Sequence, residues 1–200
     1  MGGSDVRVCF VGDSFVAGVG DPVCAGWAGR VAAAAHGAGV ALTAYNLGVR
    51  RQTSTDIAKR WFAECAQRLP SGVDGRVVFS FGVNDTMEED GVRRVPADAS
   101  AANLVKMLGQ AADRGWSALV VEPPPVDDDA HNTRIARLGD RFASVCAEEH
   151  VPFVRVHEQL RADEVWLREV RAGDGAHPSA GGYEAFAALV TPAWLDWLAD

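Results

Sequence analysis

Three polar residues stand in short motifs whose chemistry suits acyl transfer. Ser14 lies in the run Gly-Asp-Ser-Phe at positions 12–15, and its hydroxyl can act as a nucleophile. His177 ends the run Asp-Gly-Ala-His, which begins at Asp174, so the acid lies close enough to fix the tautomer of the imidazole. A histidine held in this way can take the proton of a serine hydroxyl. We therefore predict Ser14 as nucleophile, His177 as base and Asp174 as the acid that orients the base.

Two further residues have groups that can stabilise a negatively charged oxygen. Asn84, in the run Gly-Val-Asn-Asp at 82–85, can donate hydrogen bonds from its side-chain amide. Gly48 has no Cβ, so a ligand can approach its backbone N–H closely. Together with the N–H of Ser14, these donors predict an oxyanion hole formed by Ser14, Gly48 and Asn84. Each motif alone is typical of an ordinary turn or helix cap, but their combination supplies everything that a serine acyl-transfer site needs.

The elements that must position these residues alternate between strands and helices, which favours a parallel sheet covered on both faces. We predict one doubly wound α/β domain over residues 1–200. In such folds ligands bind at the carboxyl ends of the strands, and Ser14, Gly48 and Asn84 each follow one of the first three. The predicted strands are 6–11, 40–45, 76–81, 118–121 and 151–156, and the predicted helices are 27–36, 54–69, 97–114, 133–150 and a last one from about Ser179.

The motifs at 12–15, at Gly48, at 82–85 and at 174–177 resemble, in this order, the four blocks of the GDSL/SGNH hydrolases. The resemblance runs from about residue 6 to residue 183. It implies a three-layer α/β/α, flavodoxin-like fold with a five-stranded sheet, and a serine esterase that hydrolyses acyl esters through a Ser-His-Asp triad and an acyl-enzyme. It also implies that no metal and no organic cofactor are needed. Phe15 stands where the family name has leucine, which we expect to change the pocket packing without loss of activity.

The substrate is defined less sharply than the reaction. The connections after the strands are too short for a substantial lid domain, which favours a small acyl ester with a short chain. Residues 123–126 and Trp166 could line its pocket, although a tryptophan more often belongs to the core. An acyltransferase or a thioesterase would use the same residues with another acceptor or leaving group. A non-catalytic binding module would be expected to lack one of the key residues, and no G-x-G-x-x-G run follows the first strand to indicate a nucleotide site.

Charge and composition exclude some partners. A net charge of −8 and no local run of Lys or Arg disfavour nucleic acid and anionic membrane surfaces. No signal peptide and no transmembrane segment are seen, so we expect a cytoplasmic protein. The scattered cysteines are expected to be reduced and buried.

Two regions leave alternatives open. His131 is the main rival to His177, but it follows the acidic run 127–129, which we interpret as a solvated loop and much less readily as a metal site. The apolar residues around Trp194 and Trp197 either pack on the core, as we expect, or form a dimer patch. The sequence predicts no oligomeric state.

Overall fold

Five parallel strands form one sheet in residues 5–200, the part of the chain that the computed structural model describes. The strands of this sheet are β1 (Val6–Gly12), β2 (Leu42–Gly48), β3 (Asp74–Ser80), β6 (Ser117–Val121) and β7 (Phe153–Val154). Between β3 and β6 in the chain, β4 (Glu88–Glu89) and β5 (Val92–Arg93) form a separate small antiparallel hairpin. The sheet order is β2-β1-β3-β6-β7, and every neighbouring pair is parallel. The predicted five-stranded parallel sheet is therefore confirmed.

Helices cover both faces of the sheet. Because successive side chains of a strand point to opposite faces, Val8 and Phe10 of β1 pack into one hydrophobic core while Cys9 and Val11 pack into the other. The result is the predicted three-layer α/β/α architecture. The helices are α1 (Ser14–Ala17), α2 (Gly26–Gly37), α3 (Ser54–Arg68), α4 (Val83–Thr86), α5 (Ala97–Asp113), α6 (Asp129–Glu148), α7 (His157–Ala162), α8 (Glu164–Ala172) and α9 (Ala180–Ala199).

Some element boundaries differ from those predicted. The second strand begins and ends later than predicted, so Gly48 is its last residue. The last strand is much shorter than 151–156. The stretch from residue 161 to 173, predicted as a connection, holds the end of α7 and the whole of α8. The last helix, predicted from about Ser179, is α9, which continues past Pro192 to Ala199.

The acidic run at 127–129 is also more ordered than the predicted solvated loop. Asp128 is the N-cap of α6, and its side chain accepts the backbone N–H of His131 at 2.7 Å. Asp129 already belongs to the helix, and Asp127 forms an ion pair with Arg171 at 3.0 Å. Aspartate at a helix start satisfies a free N–H group and complements the helix dipole, which explains the ordering.

The large aromatic residues lie inside. Trp194 and Trp197 are buried in the core, as we expected, and so is Trp166, whose indole N–H donates to the carbonyl of Pro125 at 3.3 Å. The cysteines are unpaired thiols, and all but Cys24 are buried, so the expectation of burial is wrong for that one. Among residues 5–200 no helix is long and apolar enough to cross a membrane.

Candidate active site

The predicted nucleophile lies just past the carboxyl end of the first strand. Asp13 follows β1 and caps α1, with its Oδ1 atom accepting the N–H of Phe15 at 3.0 Å. Ser14 is therefore the first residue of a short helix, and its hydroxyl faces outward from the edge of the sheet. Gly18, with φ of 75°, ends this helix after a single turn because only glycine adopts that conformation without strain.

The structure brings Ser14, His177 and Asp174 into one hydrogen-bonded line. The Nε2 atom of His177 lies 2.7 Å from the Oγ atom of Ser14, and its Nδ1 atom lies 2.7 Å from the Oδ2 atom of Asp174. A neutral imidazole has one N–H and one lone pair. Because the carboxylate only accepts, the proton lies on Nδ1 and the lone pair on Nε2 faces the serine hydroxyl.

Asp174 is held as an anion although its carboxylate is half exposed. Partial burial alone would raise its pKa. The backbone N–H of His177 (2.8 Å), the ring of His177 and the backbone N–H of Ala176 (3.0 Å) outweigh that effect and lower the pKa of Asp174 to about 2. The carboxylate of Asp174 is therefore ionised at neutral pH.

The loop that carries His177 is fixed against the loop that follows the nucleophile. The hydroxyl of Tyr183 donates to the carbonyl of Val19 at 2.8 Å. A Cβ atom at Gly20 would lie 2.5 Å from the carbonyl oxygen of Pro178, so only glycine permits this approach. These contacts hold His177 next to Ser14 although the two residues are 163 positions apart in the chain.

Asn84 lies on α4, beyond the end of β3, and its amide is already engaged. Its Nδ2 atom donates to the carbonyl of Gln52 at 3.1 Å and lies 3.4 Å from the Oδ2 atom of Asp13. Burial raises the pKa of Asp13 to about 7, while the N–H of Phe15 opposes the shift. The amide of Asn84 is thus oriented from two sides and faces the same cavity as Ser14.

The aspartate after Asn84 ties the neighbouring helices together. The Oδ1 atom of Asp85 accepts the N–H of Ser54 at 2.7 Å, and its Oδ2 atom accepts the hydroxyl of Ser100 at 2.6 Å. Burial raises the pKa of Asp85, and these hydrogen bonds oppose the shift. Asp85 therefore joins the first turns of α3 and α5. Its role is structural.

Gly48 lies behind the site and does not line the cavity. Its N–H donates to the Oδ1 atom of Asn46 at 3.0 Å. A Cβ atom at Gly48 would lie 2.2 Å from the backbone nitrogen of Ala17 and 2.8 Å from the carbonyl oxygen of Asp13. The absence of a side chain thus lets β2 pack against α1. Of the three residues predicted to form an oxyanion hole, Ser14 and Asn84 line the cavity and Gly48 does not. The N–H of Gly48 and the amide of Asn84 both have acceptors within the protein.

Ser14, Asn84, Asp174 and His177 line a cavity of about 370 Å³. It also holds residues that the sequence analysis did not assign to the site, among them Arg50, Arg51 and Met87. Trp166 and residues 123–125 do not line it. The lining residues are Ser14, Phe15, Arg50, Arg51, Val83, Asn84, Met87, Val126, Asp128, His131, Asp174, Gly175, Ala176 and His177.

His131 lines the same cavity but is not placed to act as a base. Its Nε2 atom lies 3.1 Å from the carbonyl oxygen of Val83 and 3.0 Å from the hydroxyl of Thr86. Because a carbonyl only accepts, Nε2 carries a proton and has no free lone pair. Burial lowers the pKa of His131, which keeps its ring neutral. Residues 5–200 contain no group of three or more His, Cys, Asp or Glu side chains arranged to hold a metal ion.

The parallel α/β/α sheet carries Ser14 and His177 at its carboxyl edge, and hydrogen-bond distances join Ser14, His177 and Asp174 there. The model of the GDSL-like Lipase/Acylhydrolase family matches residues 10–185, and the chain belongs to that family. No curated protein sequence matches the chain.

Solved structures share the fold at low sequence identity. A lipase/acylhydrolase from Enterococcus faecalis is 23% identical, with a TM-score of 0.79 and 96% of each chain covered. LAE5, an α/β hydrolase from the metagenome of Lake Arreo, is 20% identical, with a TM-score of 0.79 and 98% of this chain and 96% of the other covered. Axe2, an acetylxylan esterase from Geobacillus stearothermophilus, is 17% identical, with a TM-score of 0.77 and 99% and 96% covered. These likenesses establish the common fold.

Proposed function

We propose that this protein is a serine esterase that hydrolyses small carboxylic esters with short acyl chains through an acyl-enzyme. The observation that carries the proposal is the line of two 2.7 Å contacts from Ser14 Oγ through the imidazole of His177 to Asp174. Membership of the GDSL-like family supports the same reaction class. Within the family fold, this arrangement joins a nucleophile to a base whose tautomer is fixed.

Acylation begins with attack by the Oγ atom of Ser14 on the ester carbonyl. The hydroxyl proton moves to the Nε2 atom of His177, and the imidazolium that forms is stabilised by the carboxylate of Asp174. The carbonyl oxygen becomes an oxyanion, which accepts hydrogen bonds from the N–H of Ser14 and the amide of Asn84. For this, Asn84 exchanges its long 3.4 Å contact with Asp13 for the oxyanion and keeps its hydrogen bond to the carbonyl of Gln52. As the tetrahedral intermediate collapses, the imidazolium protonates the leaving alcohol, and the acyl group stays on Ser14.

Deacylation repeats these steps with water as nucleophile. The Nε2 atom of His177 takes a proton from water as the water oxygen attacks the acyl carbonyl. The second tetrahedral intermediate uses the same donors. When it collapses, the proton returns to Ser14 Oγ and the carboxylic acid leaves. An alcohol or amine in place of water would give acyl transfer, and a thiol leaving group would make the enzyme a thioesterase.

The size and lining of the cavity support a small acyl group. A volume of about 370 Å³ lies at the lower end of the range for small-molecule sites, about 300–1,000 Å³. Its apolar wall includes Val83, Met87 and Val126, beside the nucleophile. One structural relative is an acetylxylan esterase, an enzyme named for an acetyl ester. We therefore expect the highest turnover with acetyl to butyryl esters.

The first experiment measures hydrolysis of p-nitrophenyl esters from acetate to long chains by the wild type and by Ser14→Ala. Ser144→Ala is the matched control, because Ser144 lies exposed on α6 and its hydroxyl only contacts the carbonyl of Asp140. We expect Ser14→Ala to lose activity by about 10⁴-fold or more and Ser144→Ala to keep it. Equal turnover by the wild type and Ser14→Ala would exclude Ser14 as nucleophile.

A covalent probe tests the acyl-enzyme directly. A fluorophosphonate should add one phosphonyl group to the wild type, located at Ser14 by peptide mass spectrometry. The Asp174→Asn variant should react more slowly at the same residue. Labelling at another serine, or none in a protein that hydrolyses esters, would contradict the proposed mechanism.

A further inference from the structure

A second cavity lies next to the catalytic cavity, and both use α4 as part of their lining. Val83 and Asn84 of α4 line the catalytic cavity, whereas Thr86 of the same helix lines the second one, whose volume is about 240 Å³. The two cavities have no lining residue in common. The steps of the proposed ester hydrolysis make no use of the second cavity, so its residues need an explanation of their own.

Arginine residues dominate the lining of this second cavity. Arg134, Arg137 and Arg141 lie three and four residues apart in α6, so they share one side of that helix. Arg93 of β5 is the fourth arginine of the lining. No acidic residue of the described chain lines the cavity. Four positive charges therefore line one small space in a chain whose net charge is −8.

Glu88 of the neighbouring hairpin neutralises part of this charge. One of its carboxylate oxygens lies 3.6 Å from the Nε atom of Arg93, and the other lies 3.4 Å from the Nη1 atom of Arg134. Both distances are longer than those of a charge-assisted hydrogen bond, about 2.7–2.9 Å. Two guanidinium groups thus share one carboxylate, and neither forms a close ion pair with it.

The other two arginines of the cavity differ in their partners. Arg141 forms an ion pair with Asp98. Among residues 5–200 no carboxylate lies within ion-pair distance of Arg137. Glu88 and Asp98 therefore leave two of the four positive charges without an acidic partner. Because arginine keeps its proton at any physiological pH, the repulsion among these groups is relieved when an anion binds.

Arg134 is held in position before any ligand arrives. Its side chain is only 16% exposed, and its Nε atom donates to the carbonyl of Thr86 at 2.9 Å. This hydrogen bond restricts the plane of the guanidinium group. A planar guanidinium can donate to two oxygens of one phosphate group at the same time, which makes arginine well suited to bind phosphate.

We propose that this arginine-lined cavity binds a phosphate group, either as inorganic phosphate or as the phosphate of a monoester. A phosphate monoester carries a charge of about −1.5 to −2 at neutral pH, which matches the local excess of two positive charges. The buried side chains of Val95 and Leu138 also line the cavity and offer an apolar surface to a small organic group. The inference goes beyond the proposed function and does not depend on ester hydrolysis.

Isothermal titration calorimetry with inorganic phosphate and with phenyl phosphate tests the site near neutral pH, with chloride used to keep the ionic strength constant. Arg137→Gln removes one positive charge from the cavity without breaking an ion pair of the described chain. Arg168→Gln is the matched control, because Arg168 is exposed on α8 and lies outside the cavity. We expect Arg137→Gln to weaken binding at least tenfold and Arg168→Gln to change it less than twofold.

The two probes distinguish the two sources of phosphate. Tighter binding of phenyl phosphate indicates a monoester as the ligand, and tighter binding of inorganic phosphate indicates the free anion. Arg50→Gln tests where the anion binds, because Arg50 lines the catalytic cavity and not the second one. We expect Arg50→Gln to keep the affinity of the wild type. A loss of affinity in Arg50→Gln without a loss in Arg137→Gln would place the anion in the catalytic cavity and overturn the inference.

NMR of the arginine side chains gives a second readout. Titration with inorganic phosphate should shift the Nε–H signals of the four arginines in the cavity and leave the signal of Arg168 unchanged. These shifts should saturate over the phosphate concentrations found by calorimetry. If neither probe binds saturably, or if Arg137→Gln binds both as tightly as the wild type, the cavity is not a phosphate site. Both measurements are independent of esterase activity, so failure of this inference and failure of the proposed function are distinguishable.

Discussion

The ring of Phe15 packs against the imidazole of His177, with ring centroids 4.8 Å apart and planes inclined by 36°. Trp166 stacks on Phe15 in turn, with centroids 6.3 Å apart and planes inclined by 19°. The side chain of Phe15 therefore supports the imidazole of His177 and forms part of the cavity wall. This contact gives a physical reason for the identity of the residue that follows Ser14.

Phe15→Ala should reduce both activity and stability. The buried ring fills space that alanine leaves empty, which typically costs about 3–5 kcal/mol of unfolding free energy. Without its support the imidazole can shift, and since a displacement of about 1 Å costs about 10²-fold, we expect kcat to fall about 10–100-fold. Kinetics and urea unfolding measure the two effects.

Phe15→Leu separates packing from the aromatic ring. Leucine keeps much of the volume, so we expect it to lose less stability and less kcat than alanine. If Phe15→Ala keeps the kcat of the wild type, Phe15 does not position His177.

The sequence was sufficient to predict the arrangement of Ser14, Asn84, Asp174 and His177. The reason is physical: parallel strands bring their carboxyl ends to one edge, so motifs that follow successive strands must meet. Asp174 and His177 lie on one short loop, and because they are three residues apart their side chains can reach each other. The five strands and the longer helices followed in the same way from alternating apolar patterns, whereas α8 lies in a stretch that we predicted as a connection. Most of their boundaries shifted by a few residues, because caps and turns depend on hydrogen bonds that the pattern alone does not give.

Arg51 shows what the sequence could not predict. Arg51 lines the cavity with a φ of 64°, a backbone conformation that arginine rarely adopts, so its residue type gives no sign of this conformation. Gly48, by contrast, has the residue type expected of a close approach to a ligand. The structure shows that its close approach is to Ala17 in α1. A glycine in the sequence indicates that something approaches its backbone closely. It does not indicate whether that group belongs to a ligand or, as at Gly48, to the protein itself.

Asp174→Asn should leave the fold in place and lower kcat by about 10³–10⁴-fold. The amide can present an N–H to His177 Nδ1, which favours the tautomer with its proton on Nε2, the atom that must accept the serine proton. Asp127→Asn is the matched control, because Asp127 pairs with Arg171 away from the triad. Steady-state kinetics measure both variants. Similar kcat for Asp174→Asn and the wild type would show that the acid does not orient the base.

The lowered pKa of Asp174 also predicts how the unfolding free energy changes at acidic pH. A carboxylate whose pKa falls from 3.8 to about 2 on folding stabilises the folded state above pH 3.8. This contribution is lost as the pH falls from 3.8 through about 2. The unfolding free energy of Asp174→Asn should therefore depend less on pH than that of the wild type in this window. Parallel slopes from denaturant unfolding at pH 2 to 5 would contradict the assignment.

Gly48→Ala should destabilise the protein because its Cβ would collide with the backbone of α1, 2.2 Å from the nitrogen of Ala17. Because backbone atoms cannot easily move aside, we expect the unfolding free energy to fall by about 1–3 kcal/mol. We also expect lower activity, because the collision would displace Ser14.

Gly109→Ala is the control for Gly48→Ala, since Gly109 lies within α5 and nothing stands within 4 Å of its added Cβ. That change should be neutral or stabilising by up to about 1 kcal/mol. Thermal and urea unfolding compare the two variants. Equal stability of both would show that the contact between β2 and α1 tolerates a side chain.

Asp13 should make the protein less stable as the pH rises toward neutral. Burial raises its pKa from 3.8 to about 7; the N–H of Phe15 opposes the shift and the charge of Asp85 adds to it. A carboxyl whose pKa is raised on folding stabilises the folded state fully below pH 3.8, and this stability is lost as the pH rises through about 7. For one such group the unfolding free energy falls by up to about 1.4 kcal/mol per pH unit in that window.

Asp13→Asn tests this dependence, because it removes the titrating group while its side-chain oxygen can still cap the N–H of Phe15. In this variant the amide of residue 13 faces the amide of Asn84, which we expect to lower the unfolding free energy at every pH. The informative quantity is therefore the slope of the unfolding free energy against pH and not its value at one pH. Urea unfolding between pH 4 and 8 should give a flatter profile for Asp13→Asn than for the wild type. If the two profiles run parallel, Asp13 is ionised in the folded protein throughout this range, and the negative charge must then be stabilised beside Asn84.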